Sequence, residues 1–248
     1  MPVLFRNNST FNACGMTDPG LVRENNEDVF YVSNDMRVLS VADGMGGAAA
    51  GEVASSIFVR QVQHAIEGPV KLQIQAVELV KQVFLSANQA IIQHAADNPS
   101  HAGLGCTAEL MIFCEDGYVA GHVGDSRSYL FRNGHLKQLT RDHTLVQEQL
   151  DQGLLTEEET VSHPMRNVIV RAVGINDTLA VDIIRGKYRS GDIFLLCSDG
   201  LTDMVPDTRI EDVITSGRSP AEICRILVNM ANSAGGRDNV TVVVGEVR

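Results

Sequence analysis

Four aspartates occupy the same kind of place in this sequence. Asp43 closes the apolar run of "VLSVADG", Asp199 that of "LLCSDG" and Asp125 that of "GHVGDS", while Asp238 in "GGRDNVTVVV" stands just before another such run. Each carboxylate falls where a buried strand meets a loop, held by a sheet yet open to a cleft. Glu27 and Asp28 in "RENNED" add two more acidic groups. One aspartate in such a place most often caps a turn. Several that converge would repel one another, because like carboxylates cannot share a site while all are ionised. Divalent cations offset that repulsion, and oxygen-only ligation suits Mg²⁺ or Mn²⁺ better than zinc.

The residues after Asp43 pose a question of sign. "GMGGAA" from Gly44 to Ala49 fits the weak dinucleotide pattern G-x-G-x-x-A, and Gly46 and Gly51 have P-loop spacing, but Glu52 stands where a P-loop needs lysine. A phosphate cradle with a carboxylate at its mouth and no lysine repels its ligand. Metal ions on Asp43 would invert the local electrostatics. The glycines would then allow close backbone approach, with the Gly44 carbonyl as a further ligand.

The other candidate chemistries are weaker. The seven histidines are scattered with no H-x-x-x-H pair, and the five cysteines contain no C-x-x-C pair. Cys106, Cys114 and Cys197 lie in apolar surroundings and read as core thiols kept reduced by a reducing compartment. A formal net charge of -11 argues against nucleic acid and anionic membranes as partners. No apolar run approaches the ~20 residues of a membrane span, and "MPVLFRNNSTF" lacks the apolar core of a signal peptide, so the chain is expected to be cytoplasmic.

These groups need elements to hold them. Strand-like runs are "DVFYVS", "RVLSVAD", "AELMIFCEDGYVAGHVGD", "SYLFRNGHLKQL", "LAVDIIRGKY", "DIFLLCSD" and "NVTVVVGEV". Asp116-Gly117 and Asn133-Gly134 read as hairpin turns. Apolar periodicity predicts helices at about 50–67, 72–97, 143–152 and 219–234. Ser219, Pro220 and Glu222 form a helix start, and Thr156 with Glu159 forms another. Hairpin-linked strands imply antiparallel sheets. Helices in blocks rather than in alternation with strands argue against a doubly wound fold. Two packed sheets with helices outside satisfy both.

Taken together and in order, "GLVRENNED", "VADGMGG", "GCTAEL", "GHVGDSRSYL", "LTRDHT", "LLCSDGLTD" and "GGRDNVTVVV" resemble the protein phosphatase 2C family of metal-dependent serine/threonine phosphatases, in its compact bacterial form. The resemblance covers nearly the whole chain from Phe11. It implies an α+β fold, a four-layer α-β-β-α sandwich of two mainly antiparallel sheets. It implies a short extension at 1–10 and one catalytic domain at 11–248, with a flap at about 145–168 that influences substrate choice. It implies that Asp43 bridges two Mn²⁺ or Mg²⁺ ions, with the Gly44 carbonyl, Asp199 and Asp238 completing the ligands. Glu27 would act through metal-bound water, supported by Asp28. Asp125, with Asp199, would hold a weaker third ion, and Asp203 would lie outside it. Arg23 would grip the phosphate, although by its neighbours alone it reads as a surface ion-pair partner of Glu24 or Glu27. A metal-bridging hydroxide would attack phosphorus directly, so Cys197 is not read as a nucleophile. The implied substrates are phosphorylated proteins, targets of a Ser/Thr kinase, and the chain is expected to act as a monomer.

One departure concerns the proton for the leaving group. Some relatives carry histidine after Asp-Gly, where this chain has Met45. His143 in "RDHT" is read as a structural residue at a helix start. Two other classes stay open: a phosphatase-like protein that only binds partners, and a nucleotide-binding oxidoreductase built on "GMGGAA". The first would have lost a metal carboxylate, and none is missing. The second needs strand-helix alternation and would bind a nicotinamide without added metal.

Overall fold

The computed structural model describes residues 11–35, 37–46, 51–67, 76–115 and 117–248. The expected extension at 1–10, part of the glycine stretch (47–50) and Asp116 of one expected hairpin turn lie outside them. The chain opens with β1 (Phe11–Asp18), β2 (Asp28–Val32) and β3 (Val38–Met45), followed by α1 (Gly51–Glu67) and α2 (Ala76–Asp97). A meander follows: β4 (Gly105–Cys106), β5 (Ala108–Cys114), β6 (Gly117–Val123), β7 (Arg127–Arg132) and β8 (His135–Gln138). Short helices α3 (Leu145–Asp151) and α4 (Glu157–Ser162) lead to β9 (Asp182–Gly186) and β10 (Ile193–Cys197). The chain ends with α5 (Asp199–Thr202), α6 (Asp207–Thr215), α7 (Pro220–Ser233) and β11 (Val240–Val247).

The strands form two sheets, ordered β1-β11-β10-β7-β8 and β2-β3-β5-β6-β9, with β4 paired to β3. Every strand pair is antiparallel. Helices α1 and α2 cover the second sheet; α5, α6 and α7 cover the first. This is the four-layer sandwich expected from the sequence. Because both faces of each sheet are buried, the central strands read as continuous apolar runs rather than alternating ones. Their two-residue period still sorts the side chains. On β3, Leu39 and Val41 enter the core between the sheets, while Val38 and Ala42 face the helices. On β10, Phe194 and Leu196 point between the sheets and Leu195 and Cys197 point to the helices. Phe113 and Phe194 meet edge to face there at 4.9 Å.

Local signals hold where the chain makes its own contacts. Asn133 and Gly134 both have positive φ and close the β7–β8 hairpin. Ser219 and Thr156 both form complete capping boxes, with Glu222 and Glu159. Three features differ from the sequence reading. The run "FNACGMTD" is a full strand, β1, paired over its length with β11; its composition carries little strand signal, and the partner makes it a strand. Helix α6 also escaped, being short and half polar. Third, β3 does not end at Asp43: Gly44 and Met45 continue it and pair with Cys106 and Gly105 of β4, so Gly44 belongs to the strand. Among the described residues no helix is long and apolar enough to cross a membrane.

Candidate active site

Asp43 and Asp28 stand opposite each other across the β2–β3 pair. Asp28 is buried, and its Oδ2 accepts the Ser198 hydroxyl at 2.7 Å. The same Ser198 oxygen accepts the Thr241 N–H of β11 at 3.0 Å. Ser198 directly precedes Asp199, the first residue of α5. Asp28 thus ties one sheet to the end of β10 on the other, and brings Asp43 towards Asp199.

Two further side chains fix the remaining pieces. Thr107 donates its N–H to the Asp43 carbonyl at 2.9 Å, and its hydroxyl meets Ser126 at 2.7 Å, beside Asp125. Asn239 accepts the Glu27 N–H at 2.8 Å and donates to the carbonyls of Asn25 at 2.8 Å and Pro19 at 3.0 Å. It therefore clamps the Arg23–Glu27 loop to the residue after Asp238. Gly44 and Gly51 approach so closely that a Cβ on either would strike the other's backbone, which lets the start of α1 sit against β3 and Glu27.

The outcome is two adjoining hollows. Arg23, Glu27, Asp43, Gly44, Asp199 and Asp238 line one cleft of about 480 Å³. Asp125 and Asp203 line its neighbour, of about 430 Å³, together with Asp142. Asp199 and Asn167 border both. Asp28 borders neither and lies behind Asp43. Arg23 does not pair with Glu24 or Glu27: its Nη2 donates to Asp238 Oδ2 at 2.7 Å. Asp203 accepts Asn167 Nδ2 at 3.0 Å.

A model of the protein phosphatase 2C family matches residues 22–234. A serine/threonine phosphatase of Listeria welshimeri, stp, is 39% identical over 235 residues, 93% of each chain. The crystal structure of the Mycobacterium tuberculosis serine/threonine phosphatase PstP/Ppp superposes with a TM-score of 0.89 at 38% identity, over 95% of this chain and 98% of that one. The chain belongs to the protein phosphatase 2C family. It is a metal-dependent serine/threonine protein phosphatase, as its ordered motifs implied. A related structure, the catalytic domain of PstP in complex with two manganese ions, has a TM-score of 0.85 at 36% identity, over 97% of this chain and 99% of that one.

The electrostatics of this phosphatase fit divalent ions. Burial, then the charges of Asp28, Asp199 and Asp125, holds the Asp43 carboxyl well above the ordinary aspartate range. Burial and Asp125, Asp203 and Asp238 do the same to Asp199. Burial is the first cause for Asp28, raised to about 6, and for Asp125, raised to about 7 with Asp142 as the next cause. Asp28 Oδ1 and Asp125 Oδ1 are buried with no hydrogen-bond partner. Positive charge placed among them would offset this repulsion. Among the described residues no three His, Cys, Asp or Glu side chains are already arranged as a metal cage.

Sequence reasoning missed the residues that carry no charge into the cleft. Ser198, Thr107 and Asn239 act through hydrogen bonds to segments far away in the sequence. Asn239 alone had a signal, its place beside Asp238. It also missed Asp142, which forms a bidentate pair with Arg127 beside Asp125.

Proposed function

We propose that this cleft hydrolyses phosphoserine and phosphothreonine on proteins phosphorylated by a Ser/Thr kinase, with residues 11–248 acting as one catalytic domain and as a monomer. The observation that carries this reading is that Asp43, Asp199, Asp238 and Glu27 line one cleft with Arg23 at its edge. Asp43, Asp199, Asp238 and the Gly44 carbonyl would hold two Mn²⁺ or Mg²⁺ ions, Glu27 acting through water and Asp28 from behind. Asp125 would hold a weaker third ion, with Asp203 outside it. Such ions supply Lewis acidity at the phosphoryl group and lower the pKa of attacking water.

The chain's own residues supply the rest. The Arg23 guanidinium can hold two phosphoryl oxygens at once. It is pre-placed by Asp238, whose ion pair it would exchange for substrate. Asn239 keeps the Arg23–Glu27 loop at a set distance from Asp238. Asn167, at the end of the expected flap, and Ile169, just past it, also line the cleft. Cys197 takes no part: it is buried in the helix-side core, where burial pushes its thiol far up. The net charge of -11 supports a protein that avoids nucleic acid and anionic membrane surfaces, and we place its action in the cytoplasm.

The experiment is hydrolysis of a phosphothreonine peptide by the purified chain with Mn²⁺, Mg²⁺ or excess chelator. Turnover with Mn²⁺ or Mg²⁺ and none with chelator is expected. Full turnover in chelator, or turnover with zinc alone, overturns the reading.

A further inference from the structure

His143 is buried, lines neither hollow, and holds two functional segments at once. Its N–H donates to the Gly124 carbonyl at 2.7 Å, and its Nδ1 accepts the Gly124 N–H at 3.0 Å. Gly124 has a φ of 109°, a backbone conformation suited to glycine, and directly precedes Asp125. The His143 carbonyl accepts the Val170 N–H at 2.9 Å. Thr144 bridges to Ile169, and Leu145 donates to the Val168 carbonyl at 2.9 Å. Residues 143–145 therefore grip the arm that returns from the expected flap and carries Ile169 into the cleft.

A peptide N–H only donates, so Nδ1 acts as the acceptor for Gly124. The other ring nitrogen, Nε2, lies 3.4 Å from Asp182 Oδ2, an acceptor for a proton there. Arg171 Nη1, also a donor only, lies 2.9 Å from Nε2 and donates to Asp182 Oδ1 at 2.8 Å. Burial first, then His122 and Arg171, push His143 down to about 4, which keeps the ring neutral. His122 packs against it with ring centroids 4.5 Å apart, itself anchored by Glu109 and the Arg141 carbonyl.

We infer that His143 is a positioning residue: its neutral imidazole locks the Gly124–Asp125 turn to the returning arm, and so sets the spacing of Asp125 against the cleft wall. The inference rests on the proposed role of Asp125 as a ligand of the weaker ion. Without Nδ1 the buried Gly124 N–H has no acceptor, and the turn must shift to find one.

Two variants of the full chain test this. His143→Leu removes the acceptor, whereas His143→Asn keeps one close to the place of Nδ1. Mn²⁺ binding is followed by calorimetry, alongside the melting temperature. His143→Leu is expected to weaken the weakest Mn²⁺ site by about tenfold or more, the usual scale for a group that orients a ligand. The tighter sites should hold their affinity, and His143→Asn should recover most of the loss. Equal weakening of every site in both variants, in step with the melting temperature, would mean a general packing role and overturns the inference. Should His143→Leu not fold, the wild type decides: long-range ¹H–¹⁵N correlation must show a proton on Nε2, and a proton on Nδ1 overturns the inference. A wild-type isotherm with no weaker site also overturns it, while Mn²⁺-dependent hydrolysis would leave the proposed function standing. A weaker site that depends on His143 in a chain that hydrolyses nothing has the opposite meaning.

Discussion

Asp28 and Asp43 face each other directly across the β2–β3 pair, with Asp28 buried and its Oδ1 without a partner. Two carboxylates at that spacing are held together against their own repulsion by the sheet and by Ser198.

Asp28→Asn keeps an acceptor for Ser198 and removes one charge. The metal-free protein should then gain stability at pH 8, where Asp28 is charged, on the order of 3 kcal/mol. The stabilisation by Mn²⁺, about 2.7 kcal/mol at one-hundred-fold over Kd in the parent, should shrink. Thermal melts with and without Mn²⁺ measure both quantities, and an unchanged Mn²⁺ shift refutes the coupling.

The pH dependence follows with a definite sign. Asp28 and Asp125 are raised from 3.8 to about 6 and about 7, so the folded chain binds protons more tightly than the unfolded one. Their contribution is most favourable below the unfolded value and is lost as pH rises through the folded values. The metal-free protein should therefore melt at a higher temperature at pH 5 than at pH 8. Saturating Mn²⁺ should flatten or reverse that trend. A metal-free melting temperature that rises from pH 5 to pH 8 contradicts the assignment.

Arg23→Ala breaks an exposed ion pair, so its stability cost should stay below about 1 kcal/mol. KM for a phosphopeptide and the inhibition constant of free phosphate should rise together, by about tenfold. Mn²⁺ affinity should not fall, since Asp238 loses a competing cation. Steady-state kinetics with phosphate as inhibitor test the pairing of the two constants, and independent changes would separate Arg23 from the phosphate.

Asn239→Ala strands the Glu27 N–H and two carbonyls. At about 1 kcal/mol per hydrogen bond, the loss should be about 2–3 kcal/mol. Asn239→Asp retains the acceptor for Glu27 but not the two donors, and should lose part of it. Denaturant melts rank the three proteins; equal stability of all three would show that the loop is held by other contacts.

Much of this molecule is legible in its sequence because the signals are local. The strand-end aspartates, the Asn133-Gly134 turn and the Ser219 capping box each depend on residues a few positions apart. The antiparallel, two-sheet class follows from hairpins and blocked helices, and the ordered motifs carry the family. The tertiary structure decided the rest, because it depends on pairings between distant segments. Strand β1 exists through β11, not through its own composition. Arg23 chose Asp238 over its neighbours Glu24 and Glu27 because the Asn239 clamp folds its loop across the sheet. The division of the carboxylates between two hollows follows from the end of β10 meeting the β2–β3 pair at Ser198 and Asp28. Sequence spacing determines which residues can do chemistry; only the packing of two sheets determines which of them meet.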